Sequence, residues 1–396
     1  MRNQDTTVLT EESSVNQKGF ESARSESTAF RIPHSAFRIQ EYPRWLRVWS
    51  VATVIATFAL IAVGTLVTTF HVGMADPLWP TAPWHLLLIE RVPSFGFYVE
   101  HTHRIAGYLA GTLILVQTLA LWWFSPSLMR RVGSLLLLIG VAVGTALGMR
   151  LVKTAEVRSV QALINPGFGL ALASALAFLA LAWSEVTSRA AGGKLRALAT
   201  LAFIGVVAQG MLGGLRVYLN ELKGPEIAVI HGIFAQLMFA AVCLVGLMSS
   251  ARWNSLTNLA VDKSLRWLAA ATAALALVQI VFGGLLRHLY QPMAVRLHPL
   301  LAFGVLALTA WTAAWSFRNI EGAAVLRRKA IALLGLILIQ AALGIEALLR
   351  LAEPANRYGA TGIGDAALRS AHVLVGFGIF SSAVLLAARA WKGKLI

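Results

Sequence analysis

The stretch YVEHTHRIAG, residues 98–107, places a glutamate, two histidines and an arginine at the start of a long apolar run. Ionisable side chains inside a membrane span are costly, and those that occur usually have a function and a partner. Glu100 and His103 are three residues apart, so a helix projects both from one face. These side chains are therefore the first candidates for a functional site.

The composition around this stretch is that of a membrane protein. Hydrophobic residues make up 57% of the 396 residues, charged residues only 13%, and the mean hydropathy is +0.69. So few charges cannot cover a water-exposed surface. The net charge of +16 does not indicate nucleic-acid binding, because the basic residues cluster between apolar runs, where they set membrane topology.

Ten apolar runs approach or exceed the roughly 20 residues that a spanning helix needs. They predict an all-α integral membrane protein. Basic residues occupy every second link, which predicts a multi-pass protein of a bacterial plasma membrane with both termini in the cytoplasm. The predicted spans are 46–70, 98–123, 132–151, 161–183, 197–218, 227–249, 265–286, 297–316, 328–349 and 369–390.

A glycine-rich helix followed by a helix with a polar start recurs along the chain. Such parallel repeats are known in membrane proteins, and the glycines allow close approach of a helix or of a flat ligand. The glutamines of the pattern, Gln209, Gln279 and Gln340, are expected to make interhelix hydrogen bonds. The copies are VGTALGMR (143–150), AQGMLGGLR (208–216), QIVFGGLLR (279–287) and QAALGIEALLR (340–350), followed by Asn165, His231, His298 and His372.

Four histidines near the starts of even-numbered helices are expected at one depth, on the outer side. Neutral imidazole is the usual axial ligand of haem iron, and two histidines per half of the chain suit two haems. For a single histidine, a bond to a backbone carbonyl or to water explains its place equally well. Copper is a competing metal, without a Met or Cys cluster to support it. The predicted ligands are His103 and His231 in the N-terminal half and His298 and His372 in the C-terminal half.

Arginines at the outer ends of the spans break the usual charge pattern and indicate an anion there. Haem propionates would meet them through charge-assisted bonds. Glu100 could take a proton from the porphyrin edge or stabilise positive charge on it; the alternative is a glutamate that only pairs with an outer arginine. The predicted propionate contacts are Arg104, Arg216, Arg287 and Arg369.

Three motifs carry a resemblance to a known family. EHTHR (100–104) matches a Glu-x-x-His-Arg signature, TLVTTFHVGMADPLWPTAPW (65–84) looks like a first helix end with its outer loop, and the glycine hairpins look like later ones. The family that these motifs resemble is that of heme A synthase. The likeness covers about 45–125 and 195–390.

The resemblance implies an eight-helix membrane oxidoreductase of two four-helix halves. Such an enzyme oxidises a methyl group of haem o to the formyl group of haem a for cytochrome oxidase assembly. It implies that Glu100 is catalytic, that His103 and His231 hold the substrate haem, and that His298 and His372 hold haem b. The implied partners are haem o, the farnesyltransferase that makes it, and an unknown electron donor.

The chain departs from the family plan in two ways. Many members carry a cysteine pair in the outer loop, which is absent here, so no redox input through thiols is expected. A hairpin over 132–183 is additional, and its Asn165 replaces the histidine, so we expect packing structure that lost its ligand. The predicted organisation is a disordered cytoplasmic tail (1–43), a first hairpin of the N-terminal haem half (44–125), an extra degenerate hairpin (130–185), a second hairpin of the N-terminal half (195–250) and a C-terminal haem b half (264–392).

Two other functions would use the same features. A di-haem electron carrier of the cytochrome b type needs the four histidines but gives Glu100 no task. A transporter would explain ten helices and repeats without any haem. The haem content and haem type of the protein distinguish the three.

Overall fold

A computed structural model describes residues 42–75, 94–154, 160–318, 323–352 and 362–395. Within them, ten helices are long and apolar enough to cross a membrane, which confirms the predicted all-α fold and the number of spans. Nearly all of the predicted tail and the loop motif beyond Ala75 lie outside the described residues. The helices are α1 (Arg44–Thr69), α2 (Phe95–Trp123), α3 (Leu128–Thr154), α4 (Pro166–Thr187), α5 (Gly193–Tyr218), α6 (Asn220–Met248), α7 (Lys263–Leu289), α8 (Pro292–Trp315), α9 (Ala323–Ala352) and α10 (Ile363–Lys392).

Short elements connect or follow these helices. A five-residue helix spans Ala251–Ser255, and single 3₁₀ turns span Val160–Leu163 and Leu256–Asn258. Strands β1 (Ala260–Val261) and β2 (Lys394–Leu395) pair in parallel at one end of the molecule. In lipid, only helices and closed barrels satisfy the hydrogen bonds of every backbone group, which explains why the described residues are almost entirely helical.

Local sequence explains where several helices begin. Ser94 caps α2 by accepting a hydrogen bond from the Phe97 amide at 3.2 Å, and Asn165 caps α4 in the same way. Proline follows the cap at the start of α4 and of α8, where its missing amide hydrogen costs nothing. Leu219 alone separates α5 from α6, so these two helices form a tight hairpin.

Eight of the ten spanning helices form two closed rings of four. In the N-terminal ring, α1 packs on α2, α2 on α5, α5 on α6, and α6 returns to α1. In the C-terminal ring, α7, α8, α9 and α10 close in the same manner. The rings meet where α6 packs on α7 and α10, and where α1 packs on α10. The Thr69 and Ser370 hydroxyls lie 3.3 Å apart across this seam.

The remaining hairpin, α3 and α4, packs mainly on itself and lies outside the N-terminal ring, against α5 and α2. Gly144 and Gly167 bring its two backbones into direct contact, because a Cβ on either glycine would collide with backbone atoms of the other helix. Small residues allow such close crossings in membranes. The two helices of this hairpin are therefore in direct backbone contact.

A buried charge cluster fixes α4 to the ring at the end away from the candidate histidines. Glu185 and Arg196 are both fully buried, and Arg196 Nε donates to Glu185 Oε2 at 2.7 Å. Arg130 Nη1 and the Ser125 hydroxyl donate to Glu185 Oε1 at 2.8 and 3.3 Å. The Arg196 guanidinium also lies 5.9 Å from the ring centroid of Trp122. The cluster joins α2, α3, α4 and α5.

Candidate functional site

The four predicted ligand histidines lie on alternate helices of the two rings. His103 is on α2 and His231 on α6, which face each other diagonally in the N-terminal ring. His298 on α8 and His372 on α10 have the same relation in the C-terminal ring. All four are near the N-terminal ends of their helices. Each ring therefore presents a diagonal histidine pair at the same end of the molecule, which we name the histidine end.

Each histidine ring lies against a glycine of the preceding ring helix. A Cβ at that glycine would be within 2.8 to 3.3 Å of the imidazole Cε1, so no larger residue fits while the ring stays in place. The repeat that the sequence shows is thus a repeat of contacts. The pairs are Gly64 with His103, Gly213 with His231, Gly283 with His298, and Gly344 with His372.

Backbone carbonyls orient two of the imidazoles. His103 Nδ1 lies 3.3 Å from the Leu60 carbonyl oxygen, and His298 Nδ1 lies 3.1 Å from that of Gln279. When Nδ1 carries the hydrogen and donates it to a carbonyl, Nε2 keeps its lone pair. This is the usual outer contact of a metal-bound histidine.

The C-terminal pair fits a haem. The ring centroids of His298 and His372 are 6.2 Å apart and the rings are nearly perpendicular, at 74°. Metal–imidazole bonds are about 2 Å long, so one ion has room between the rings. Among the described residues, no three His, Cys, Asp or Glu side chains converge on one point. A metal with two protein ligands and a porphyrin therefore suits this pair better than a closed protein cage.

His372 needs one local change before it can bind a metal through Nε2. That nitrogen lies 3.3 Å from Nε2 of Gln340, while its Nδ1 is buried without a hydrogen bond. A small turn of the glutamine amide would free the ring nitrogen.

The N-terminal pair has a buried carboxylate three residues before one of its histidines. Glu100 is only 3% exposed, and its Oε1 accepts a hydrogen bond from Arg104 Nη2 at 2.7 Å. The charge of Arg216 on α5 also acts on Glu100, and His231 is within electrostatic range of both His103 and Arg216. The alternative role considered for Glu100 was an ion pair with an outer arginine, and its pair with Arg104 is such an ion pair. It holds the carboxylate inside the ring, on the face of His103.

Three of the four predicted arginines gather at the histidine end around His71. Arg287 Nη2 donates to the Thr69 hydroxyl at 2.8 Å, and Arg369 Nε pairs with Asp365 at 3.0 Å. The pKa of His71 lies below its usual value because of partial burial and then because of the charges of Arg287, Arg216 and Arg369. The fourth predicted arginine, Arg104, stays with Glu100.

The surroundings of Arg216 are typical of an arginine that binds an anion. A Cβ on Gly73 would lie 3.1 Å from its Nη1, so the guanidinium is tucked under the chain that follows α1. Its Nε is buried and makes no hydrogen bond with the described residues. Buried polar groups are normally satisfied, so a ligand oxygen is the missing partner that this position suggests.

Sequence reasoning missed several functional neighbours. Gly64 was not recognised as the first member of the glycine series, because Leu60 stands where the later copies have glutamine. The expected interhelix bonds of the glutamines are present: Gln209 Nε2 donates to the His231 carbonyl at 2.9 Å and Gln279 Nε2 to that of His298 at 2.8 Å. The signal that could have identified Gly64 was its spacing, because it lies four residues after Leu60 as each later glycine lies four residues after its glutamine.

Among the described residues, His71, His101 and His288 lie at the histidine end, outside the two ligand pairs. His101, two residues from His103, is buried and stacks on Phe97 with 4.9 Å between ring centroids. A cavity of about 10 Å³ lies elsewhere in the N-terminal ring, lined by residues such as Gln117, Ala202 and Val242. It is smaller than the roughly 300 Å³ at which ligand pockets begin, so it is not the candidate site.

One comparison with known proteins finds a similarity over part of the chain. Residues 167–300 match the family model COX15-CtaA, described as cytochrome oxidase assembly protein. Over about a third of the chain, the match agrees with the family that the sequence motifs resemble. A search among curated proteins gives no match.

The matched stretch includes some site residues and leaves out others. It contains His231 and His298, whereas Glu100, His103 and His372 lie outside it. It also begins in α4, so it includes the second helix of the hairpin that the sequence marked as additional. The N-terminal likeness over 45–125 rests on the motifs alone.

Proposed function

We propose that the chain is a membrane oxidoreductase that converts haem o to haem a by oxidising a porphyrin methyl group to a formyl group. Haem o binds between His103 and His231 in the N-terminal ring, and haem b between His298 and His372 in the C-terminal ring. The observation that carries the proposal is a diagonal histidine pair in each ring, with the buried Glu100 one turn before His103 in the N-terminal ring; the buried Asp365 of the C-terminal ring lies two turns before His372. When bound, haem iron supplies the electron transfer.

Glu100 gives the N-terminal ring its chemistry. Oxidation of a methyl to a formyl group releases protons as well as electrons, so a base beside the porphyrin edge is needed. Arg104 and Arg216 stabilise the ionised carboxylate in a buried place, where electrostatic interactions are strong. The residues three before the other ligands are Ala228, Val295 and Arg369, and none of these can act as the base.

The gathered arginines bind propionates. Arg216 approaches from the N-terminal ring and Arg287 and Arg369 from the C-terminal ring, so both haems can turn their carboxylates toward one region at the seam. Arginine forms short, charge-assisted bonds with carboxylates. Arg104 contributes in the N-terminal ring through the same end of α2.

The membrane setting follows from the charges at the other end. Arg130, Arg131, Arg189 and Lys194 lie in links away from the histidine end, and basic links favour the cytoplasm. The histidine end then faces the outside of a bacterial plasma membrane, and both termini are cytoplasmic. Haem o reaches the N-terminal ring from the bilayer, delivered by the farnesyltransferase that makes it. Water supplies the oxygen atom of the formyl group, and an electron acceptor outside the chain takes up the electrons that the oxidation releases.

The test replaces Glu100 with glutamine in cells that make haem o. Glu100→Gln should keep both haems and lower haem a formation by about 100-fold or more, as loss of a general base does. Glu346→Gln is the matched control, because Glu346 forms the same kind of pair with Arg350, at 2.8 Å, but is half exposed. It should form haem a at the wild-type level. Wild-type yield from Glu100→Gln would contradict the proposal.

The same extraction separates the alternatives. If the wild-type protein holds only b-type haem and leaves haem o unconverted, a di-haem electron carrier is the better assignment. If it holds no haem, a transporter is favoured.

A further inference from the structure

Three of the four histidine hairpins share a glutamine that the first hairpin lacks. Gln209, Gln279 and Gln340 each lie four residues before the glycine that faces the histidine. In the first hairpin the residue four before Gly64 is Leu60. The glutamine is thus present in every histidine hairpin except the first.

Two of the glutamines tie helices together at the level of the ligand. Gln209 Nε2 on α5 donates to the His231 carbonyl on α6 at 2.9 Å, and Gln279 Nε2 on α7 donates to the His298 carbonyl on α8 at 2.8 Å. A carbonyl has two lone pairs, so it can accept this bond in addition to its helical one. In lipid no water competes for such a bond.

The third glutamine reaches the same level of its partner helix. Gln340 Nε2 on α9 lies 3.3 Å from His372 Nε2. It is also 3.5 Å from a Cβ placed on Gly376, one turn beyond the histidine. The amide therefore contacts the side chain of His372 and makes no bond to its carbonyl like those of the other two glutamines.

Leu60 occupies the equivalent place in the first hairpin with an apolar end. A Cβ placed on Gly107, one turn beyond His103, would lie 3.9 Å from Leu60 Cδ1. The Leu60 carbonyl faces His103 Nδ1 as that of Gln279 faces His298. A leucine side chain cannot donate a hydrogen bond, so it cannot tie α1 to the backbone of α2 at this level.

We propose that the N-terminal ring takes up and releases its porphyrin by separation of α1 from α2 at His103, while Gln209 and Gln279 hold the backbone of His231 and His298 in place. This rests on the proposed function, in which the N-terminal ring binds a substrate that must leave and the C-terminal ring keeps its cofactor. Removing an outer partner of a metal ligand commonly changes affinity by 10- to 100-fold. His103 has only the contact between its Nδ1 and the Leu60 carbonyl, whereas His298 has the equivalent contact and also the Gln279 bond to its own carbonyl. The hairpin with fewer bonds between its helices at the ligand is therefore the one that opens.

The experiment measures haem release from the purified full-length protein to an excess of apo-globin. Haem b and haem o or a are followed separately by their absorption bands, and the wild type should release haem b more slowly. Leu60→Gln should slow release of haem o or a by about tenfold, and Gln279→Leu should speed release of haem b by about tenfold. Gln117→Leu is the control, since Gln117 also bonds between helices, to the Ser50 hydroxyl at 2.9 Å, but in the half of α2 away from His103. Its release rates should match the wild type.

The outcomes separate this proposal from the function on which it rests. Wild-type protein without haem would remove the proposed function itself. Haem in both rings with unchanged release from Leu60→Gln, or from Gln279→Leu, would overturn the glutamine proposal and leave the function standing. If Leu60→Gln does not accumulate in the membrane, Gln279→Leu compared with Gln117→Leu decides the matter alone.

Discussion

The extra hairpin and the C-terminal hairpin α7/α8 share a sequence pattern but differ in structure. In α7/α8, Gly283 faces the imidazole of His298. In α3/α4, the equivalent Gly148 faces the phenyl ring of Phe168, and Asn165 donates a hydrogen bond to the Gly148 carbonyl at 3.3 Å. One glycine pattern thus supports a candidate ligand in one place and a closed contact in the other.

The difference lies in what the second helix brings to the glycine. In α4 that helix brings Gly167, so the two backbones touch. In α8 it brings a histidine inside a closed ring. Position in the assembly agrees with this, because α3 and α4 lie outside the N-terminal ring. The glycines permit close approach, and the facing residue decides whether the approach serves packing or ligand binding.

Removal of the C-terminal histidine pair should have the largest effect. His298→Ala with His372→Ala should take away haem b completely and leave the N-terminal haem, since both proposed iron ligands of that ring are then gone. The haem-to-protein ratio of the purified variant should fall from two to one. An unchanged ratio would mean that these histidines do not bind the iron.

Breaking the charge cluster that holds the extra hairpin should cost stability. Glu185→Gln leaves Arg196 buried without its counter-charge, and loss of one partner of a buried pair typically costs about 3–5 kcal/mol. Glu346→Gln removes an exposed pair worth about 0–1 kcal/mol. Thermal unfolding in detergent compares the two variants with the wild type. Equal unfolding temperatures for all three would contradict the structural role of the cluster.

Filling the glycine contact should displace a ligand ring. A Cβ on Gly283 would lie 2.9 Å from His298 Cε1, so Gly283→Ala must shift the imidazole and should weaken haem b binding about 10- to 100-fold. Gly335→Ala on α9 is the control, because a Cβ there meets nothing within 4 Å. Haem b titration into the apoprotein measures both. Equal affinities would show that the glycine does not position the ring.

Restoring a histidine in the extra hairpin should not restore a site. Asn165→His removes the cap of α4, at a cost of about 1 kcal/mol, while Gly144 and Gly167 still hold the backbones together. The variant should bind as much haem as the wild type. Additional haem per chain would show that the hairpin can open and that the comparison with α7/α8 is wrong.

The smallest expected effect concerns His71. Its folded pKa lies below the unfolded value near 6.5, so the unfolded chain binds the proton first as the pH falls. Stability should therefore decrease as the pH drops through about 6.5, and His71→Gln should reduce this decrease. Unfolding temperatures at pH 7.5 and 5.5 test it. If stability decreased more steeply with falling pH in the variant, the pKa of His71 would be raised by folding and not lowered.

Much of the fold was predictable because lipid makes span length decisive. Ten apolar runs gave ten helices, and the repeat indicated which side chains stand at one depth. Which helices form each ring was not predictable from the sequence. The helix α2 packs on α5 and not mainly on α3 and α4, which follow it in the chain, and only tertiary contacts decide this. Glu185 and Arg196 are close to helix ends, where charges are usually solvated, so no sequence feature indicated a buried pair.

The candidate site was only partly predictable for a related reason. The histidines and arginines were visible because polar groups are rare in spans. Leu60 and Gly64 were not, because an apolar residue and a glycine in a span are ordinary. The glutamines were visible, but their link to the ligand needed the distances.

In the proposed enzyme, each ring holds one haem through its diagonal histidines. The haem content, by type, of the purified full-length protein from cells that make haem o tests this without any assay of activity. Two haems per chain are expected, one of b type and one of o or a type, and none when His103, His231, His298 and His372 are all alanine. A colourless wild-type protein, or full pigment in the variant without these four histidines, would contradict it.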